Sequence, residues 1–384
     1  MRALALVLVT AALVSGAASG CIDKAAPDTE PSALRLGALV PLTGSSAPIG
    51  TGMAPAFQMA VTEANAAGGV LGRRVELLTK DDACDPATAV AKAHDLVAKD
   101  IVVSVGGLCS ASTVPTLKVF RAARIPMIIP GSNSTDLLAP KYDSVFLLAG
   151  TTAIEAQRAV AWMRPLGSRR LALISDGTSF SGTVSAAAAK VVSRPDSEVT
   201  LVMERDLTQG APSYPRIVSE VLRTKADMVF FTGYHGEAAT LIRDLRNARY
   251  TGKIMLSDGG VDPAIFTEVD AAKAEGVYGL ALPLAEFTPR AAAWAEKYRN
   301  LTGKPPGPFT MQAYDAVRLA LDAIRRAHGV DPAAVRSAIA GTVPADVELL
   351  SGPARFNPDG TQADSTFVRL QIRNNAFVLA PAAR

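Results

Sequence analysis

The chain is poor in the residues that most often carry chemistry. Among 384 residues there are three cysteines and three histidines, which excludes a multi-metal scaffold and leaves few ligands for a zinc site. His94, His235 and His328 fall on separate predicted elements, and none belongs to a His-x-x-x-His or Glu-x-x-His pair at metal spacing. No Gly-x-Ser-x-Gly elbow offers an esterase nucleophile. The loop after the first predicted strand holds Gly44, Gly50 and Gly52 but lacks the Gly-Lys end of a nucleotide phosphate loop. Aromatic residues are 5% of the chain, too few for extensive platforms that stack bases or sugars. Lys plus Arg is 39 and Asp plus Glu is 36, a formal net charge of +3, so a nucleic-acid partner held by a broad basic surface is not expected. Neither an enzymatic constellation nor a cofactor or metal site is expected.

Long apolar runs are also scarce, and the one that exists lies at the start. Arg2 precedes an apolar stretch from Ala3 to Val14, and small residues follow. This is the three-part layout of a secretory signal, and a dozen apolar residues are too few to cross a bilayer of ~30 Å. The stretch ends Ala18-Ser19-Gly20-Cys21, which resembles the lipobox of bacterial lipoproteins, with Ala18 in place of the usual Leu. Residues 1–20 are therefore expected to be a lipoprotein signal peptide and Cys21 the lipidated residue. Residues 21–33, polar and with two prolines, read as a tether.

From Leu34 onward the pattern alternates strand and helix. Leu34–Pro41, Val75–Lys80, Ile101–Val105, Pro126–Ile129 and Val145–Ala149 read as strands. Between them, Met53–Ala67, Pro86–Lys99 and Ser112–Ala123 read as helices, the second with Asp85 as N-cap and Pro86 in its first turn. The rhythm restarts near Gly150–Thr152 and runs to a strand at Val277–Leu282. Three helices then precede a strand pair around Asn374-Asn375. Such alternation means βαβ units, here as an α/β fold of two doubly wound parallel-sheet lobes. The boundary lacks a Pro/Gly/Ser-rich linker, which favours a hinge over a floppy tether.

Ligands of open α/β sheets bind beyond the carboxyl ends of the strands, which directs attention to the loops there. Ser110 stands at a helix start, where its hydroxyl and the adjoining N–H groups can face an anion. The Gly131–Thr135 loop offers the Gly131 carbonyl, Ser132 and the Asn133 amide. In the second half, Asp258 ends a strand and can neutralise a cation, while Tyr234 supplies a flat wall and a hydroxyl. An anion site opposite a carboxylate suits a zwitterion.

Lys80–Pro86 (KDDACDP), Gly106–Thr113 (GGLCSAST), Gly233–His235 (GYH), Asn65–Gly72 (NAAGGVLG) and Gln312–Val317 (QAYDAV) resemble motifs of the leucine/isoleucine/valine-binding proteins that serve bacterial ABC importers. Their order and approximate spacing agree from Leu34 to about Phe356. The resemblance implies the type I periplasmic-binding-protein fold. The expected N-terminal lobe is 34–150 plus 283–354, and the C-terminal lobe 151–282 plus 355–384. It implies a disulfide between Cys84 and Cys109. It assigns the ligand carboxylate to Ser110 and to a loop that carries Asn133 where the family has Thr. The ammonium goes to the Gly131 carbonyl and to Asp258, which replaces a Glu. Tyr234 matches a family Tyr, whereas Phe180 stands where the family has a Tyr and Ile49 where it has an aromatic residue.

The implied function is that of a lipid-anchored, exported solute-binding subunit of an ABC importer, facing the periplasm or cell exterior. It is expected as a monomer that closes on a small, branched-chain or aliphatic amino acid and hands it to a membrane permease. The alternative is a ligand-sensing receptor of the same fold, for an amide or other small metabolite, coupled to signalling. Mass spectrometry of the native N-terminus should find a lipid-modified Cys21; an unmodified start elsewhere contradicts the lipobox reading.

Overall fold

The computed structural model describes residues 32–381. The leader, Cys21 and most of the tether lie outside the described residues.

The first sheet is built from β1 (Leu34–Val40), β2 (Val75–Asp81), β3 (Val103–Ser104), β4 (Met127–Ile129) and β5 (Val145–Leu147), all parallel, in the order β2-β1-β3-β4-β5. The helices α1 (Ala47–Ala66), α2 (Pro86–Val97) and α3 (Ser110–Ala122) connect its first four strands. Side chains alternate across a strand, and β1 uses both faces. Leu34, Leu36, Ala38 and Val40 join one buried cluster with α1, while Leu39 joins a second with α2 and α3.

A second sheet follows α4 (Thr152–Met163). Its strands β6 (Arg170–Ser175), β7 (Thr200–Asp206), β8 (Met228–Phe231), β9 (Lys253–Leu256) and β10 (Tyr278–Ala281) repeat the plan of the first as β7-β6-β8-β9-β10. They alternate with α5 (Ser179–Val192), α6 (Pro215–Thr224) and α7 (His235–Asn247); the short α8 (Ile265–Glu268) and α9 (Ala271–Ala274) precede β10. The same division recurs, with Leu171 and Leu173 packed beside α4 and α5, and Ala172 and Ile174 beside α6 and α7. The chain then returns to the first lobe as α10 (Ala292–Thr302), α11 (Thr310–Arg326) and α12 (Pro332–Ala340), whose buried faces complete the first-lobe core around α1. It ends as β11 (Val368–Arg373) and β12 (Ala376–Leu379), antiparallel strands on the edge of the second sheet.

The doubly wound expectation is met in both sheets, with two differences of detail. The helix expected from Met53 starts at Ala47: Pro48 suits its first turn, and Pro55 is accommodated inside rather than ending it. The return to the second lobe comes later than Arg355. Phe356 packs edge-on against Phe146, and Leu147 donates its N–H to the Gly360 carbonyl at 2.9 Å, so this segment stays with the first sheet as far as Asp364. The crossings at Leu148, at Leu282–Pro283 and at Ser365–Thr366 surround one small void. Gly150, at φ +73°, has no room for a side chain, because a Cβ would lie 2.1 Å from Ser365 Oγ.

The recognised motifs serve this frame. Asn65 donates its amide to the Val75 carbonyl at 2.9 Å and accepts the Val75 N–H at 2.8 Å, fastening α1 to β2. In the Lys80–Pro86 motif, Asp81 accepts N–H groups from Leu42 and Ala83, and Asp82 accepts that of Cys84. Cys84 and Cys109 are joined as a disulfide across 25 residues. Asp315 of the Gln312–Val317 motif is buried. It accepts the N–H groups of Leu350 and Ser351 at 2.9 and 2.7 Å, and burial pushes its carboxyl up to about 6. Replacing both Cys84 and Cys109 by Ser should lower unfolding stability by about 3–4 kcal/mol through loop entropy. Chemical denaturation would measure this, and an unchanged midpoint would show the bond to be dispensable.

Candidate functional site

In each sheet the strand order reverses beside the first strand of its lobe, between β1 and β3 and between β6 and β8. A crevice opens at such a switch point, and the two crevices face each other. Between them is a narrow cavity lined by Ile49, Leu108, Gly131, Asn133 and Phe309 from one side and Phe180, Tyr234, Asp258 and Gly259 from the other. Among the described residues, no Lys, Arg or His lines it.

The polar side of the first lobe is set by three turns. Cys109 is the N-cap of α3 and Ser110 its first residue, so the Ser110 hydroxyl lies at a helix start, where N–H groups have no intrahelical acceptor. Ser110 Oγ accepts the Ser134 N–H at 3.3 Å and keeps its own proton free to donate. The β4 loop folds back on Gly107, whose carbonyl accepts the N–H groups of Gly131 and Ser132 at 3.0 and 3.1 Å. The turn is tight at Gly131, where a Cβ would lie 3.1 Å from the Gly107 carbonyl oxygen. The same fold-back turns Ser132 away from the cavity. Its hydroxyl bonds Thr113 Oγ1 of α3 at 2.7 Å.

The second lobe brings acids. Asp258 opens a tight turn after β9 and is 3% exposed. Its backbone N–H donates to Glu155 Oε1 at 2.7 Å, and its carboxylate accepts the Asn133 amide from the opposite lobe at 3.0 Å. Burial pushes Asp258 up to about 7. Glu155, wholly buried on α4, is likewise held well above the usual carboxyl range, by burial first and by the Asp258 charge second. Its Oε2 has no hydrogen-bond partner. Tyr234 packs against Phe180 with ring centroids 5.4 Å apart. Burial, with Asp176, Asp258 and Asp82 around it, raises its phenol, which stays a neutral donor.

The lobes touch directly. Beside the Asn133–Asp258 bond, Ser134 and Ser179 share a hydroxyl contact at 3.1 Å, and Ser179 donates to Asp136 at 2.7 Å. The described arrangement is closed.

Of the residues proposed from sequence, Gly131, Asn133, Phe180, Tyr234 and Asp258 line one cavity; Ser110 is not among its lining residues, and its hydroxyl meets the Ser134 N–H next to Asn133. Sequence reasoning missed Glu155, Leu108, Phe309 and Gly259. Glu155 had a legible signal: it shares the buried stripe Thr152, Glu155, Ala156, Ala159, Met163 of α4, and a charge on such a stripe is rare. Phe309 had none. It sits at φ +60°, a conformation costly for a bulky residue, held where the chain enters α11.

A two-lobed α/β protein with a closed, polar-ended interlobe cavity is, as a class, a solute-binding protein. The periplasmic binding protein family model matches residues 33–376, and the chain belongs to that family. An amino acid binding protein of Pseudomonas aeruginosa is 30% identical over 305 residues, covering 78% of this chain and 80% of that one. A leucine-, isoleucine-, valine-, threonine- and alanine-binding protein of the same organism is 26% identical over 300 residues, with coverages of 78% and 80%. In fold, a leucine binding protein from Thermotoga maritima superposes with a TM-score of 0.83 at 21% identity, covering 90% of this chain and 97% of that chain. The resemblance to leucine/isoleucine/valine-binding proteins is thereby borne out, and the family binds solutes rather than turning them over.

Replacing Asn133 by Ala removes the amide that bridges to a buried carboxylate, an interaction worth about 1.5–3 kcal/mol. The ligand-free variant should populate open forms more than the parent does. Small-angle scattering would read this as a larger radius of gyration, and an unchanged radius would show that the bridge does not hold the lobes together.

Proposed function

We propose that this protein is an exported solute-binding lipoprotein of an ABC importer, anchored through Cys21. It captures a small amino acid with an aliphatic side chain in the interlobe cavity and delivers it to a membrane permease. The observation that carries this reading is the polarity of the cavity. Ser110 and the α3 N-terminus form an anion-suited end, the buried Asp258 carboxylate forms a cation-suited end, and Ile49, Leu108, Phe180 and Phe309 wall the space between. In this reading the Gly131 carbonyl and Asp258 take the ammonium, Ser110 and Asn133 the carboxylate, and Phe180 with Tyr234 cover the side chain.

Closure follows from differential affinity. A ligand bonded to both lobes stabilises the closed form by as much as it binds that form better than the open one. The permease would then read the closed surface.

Calorimetry with leucine, isoleucine, valine, threonine and alanine tests the reading. Heat of binding and a raised melting temperature with at least one of them are expected; no response to any rejects the amino-acid reading. Asp258→Ala should weaken the binding found by about 2–5 kcal/mol, and unchanged affinity would show that the ammonium sits elsewhere.

A further inference from the structure

Behind Asp258 lies one carboxylate more than a single ammonium needs. Asp258 and Glu155 both belong to the second lobe, and the 2.7 Å bond from the Asp258 N–H to Glu155 Oε1 fixes them side by side. Glu155 is wholly buried, and its Oε2 has no hydrogen-bond partner. Their carboxyl groups also meet side chain to side chain, and two carboxylates so paired, away from water, cannot both stay ionised without a cation. Among the described residues, the surroundings supply none. From the first lobe comes the neutral Asn133 amide. From the β8 turn comes Tyr234, a neutral phenol with Asp176 and Asp82 near it. His235 is turned to Glu268, 3.8 Å away, and Arg158, on the same helix as Glu155, is exposed.

We infer that Glu155 and Asp258 act as one cation-binding pair, which keeps a single proton while the cleft is without ligand and exchanges it for the ligand's ammonium. The inference rests on the amino-acid reading above and adds Glu155 to that site. The charges balance. The pair with one proton carries a single negative charge, and the pair without it, bonded to an ammonium, leaves the same single negative charge in the cleft. The proton passes to bulk solvent, and the ammonium keeps its own. Raised titration of both acids, with Asp258 pushed up to about 7, puts the exchange in the neutral range. The pair titrates as a unit. Glu155 thereby selects for a cationic nitrogen with N–H donors for two acceptors and against neutral or anionic heads.

Calorimetry in buffers of different ionisation enthalpy counts the protons released. With leucine at pH 6, the wild-type protein should release about one proton, and its affinity should rise about tenfold per pH unit up to the pair's titration. Isopentylamine, which has the amine without the carboxylate, should release a proton as leucine does, and 4-methylpentanoate should not. Glu155→Gln keeps the acceptor for the Asp258 N–H and a permanent donor toward Asp258. It should bind leucine with no proton release and a flat pH profile. A wild-type release near zero, or a variant with the wild-type slope, overturns the inference. A ligand-free readout separates this from failure of the amino-acid reading. An acid whose titration is raised by folding loses stability as pH rises, so the Glu155→Gln melting temperature should gain on wild type from pH 5 to pH 8. A constant difference overturns the proton-holding pair even if no amino acid binds.

Discussion

Asp258 is a carboxylate buried beside another carboxylate and bonded to an amide from the opposite lobe. Burying an ion is expensive unless partners replace water, and the elements around this one supply those partners. The β9 turn places Asp258, the start of α4 supplies Glu155, and the β4 loop reaches across with Asn133. The loop reaches that far because Gly131 and Ser132 fold back onto Gly107. Removal of water from this spot requires closed lobes, so the electrostatics of the site and the closure of the molecule depend on each other.

The repeated sheet plan explains why the contact forms between lobes and not within one. Each lobe alone offers half a crevice at its own switch point. Apposed, the two crevices give a chamber with helix-start donors at one end and acids at the other. The crossings sit side by side, so the lobes can rock about a narrow strip while each core keeps its packing. Asp315 and the Cys84–Cys109 bond lie in the first lobe and hold its loops against the sheet. They keep the first half of the chamber in shape.

Much of this was legible in the residues because hydrophobic alternation and turn chemistry act locally. Strands β1, β2 and β6 and the cap at Asp85 follow from near neighbours. The errors mark non-local physics. Met53 reads as the first helical residue, yet α1 starts at Ala47, and its buried face packs on α11, far along the chain. Arg355 reads as the start of the return crossing, yet Phe356 finds a partner ring in Phe146. Within the site, polar residues at strand ends were identified by type and position. Ser132 was identified on the same grounds, and type alone does not say that its hydroxyl would meet Thr113 of α3. Glu155 was passed over because the helix was read by its apolar period, and the charge on that period was given no weight. The φ of Phe309 has no local signature.

A crystal structure of the protein soaked or grown with leucine tests the central claim most directly. The account predicts closed lobes, a leucine nitrogen within hydrogen-bond distance of Asp258 and of the Gly131 carbonyl, and its carboxylate at Ser110 and the start of α3. A ligand seated outside this chamber, or one whose carboxylate faces the two acids, would contradict it.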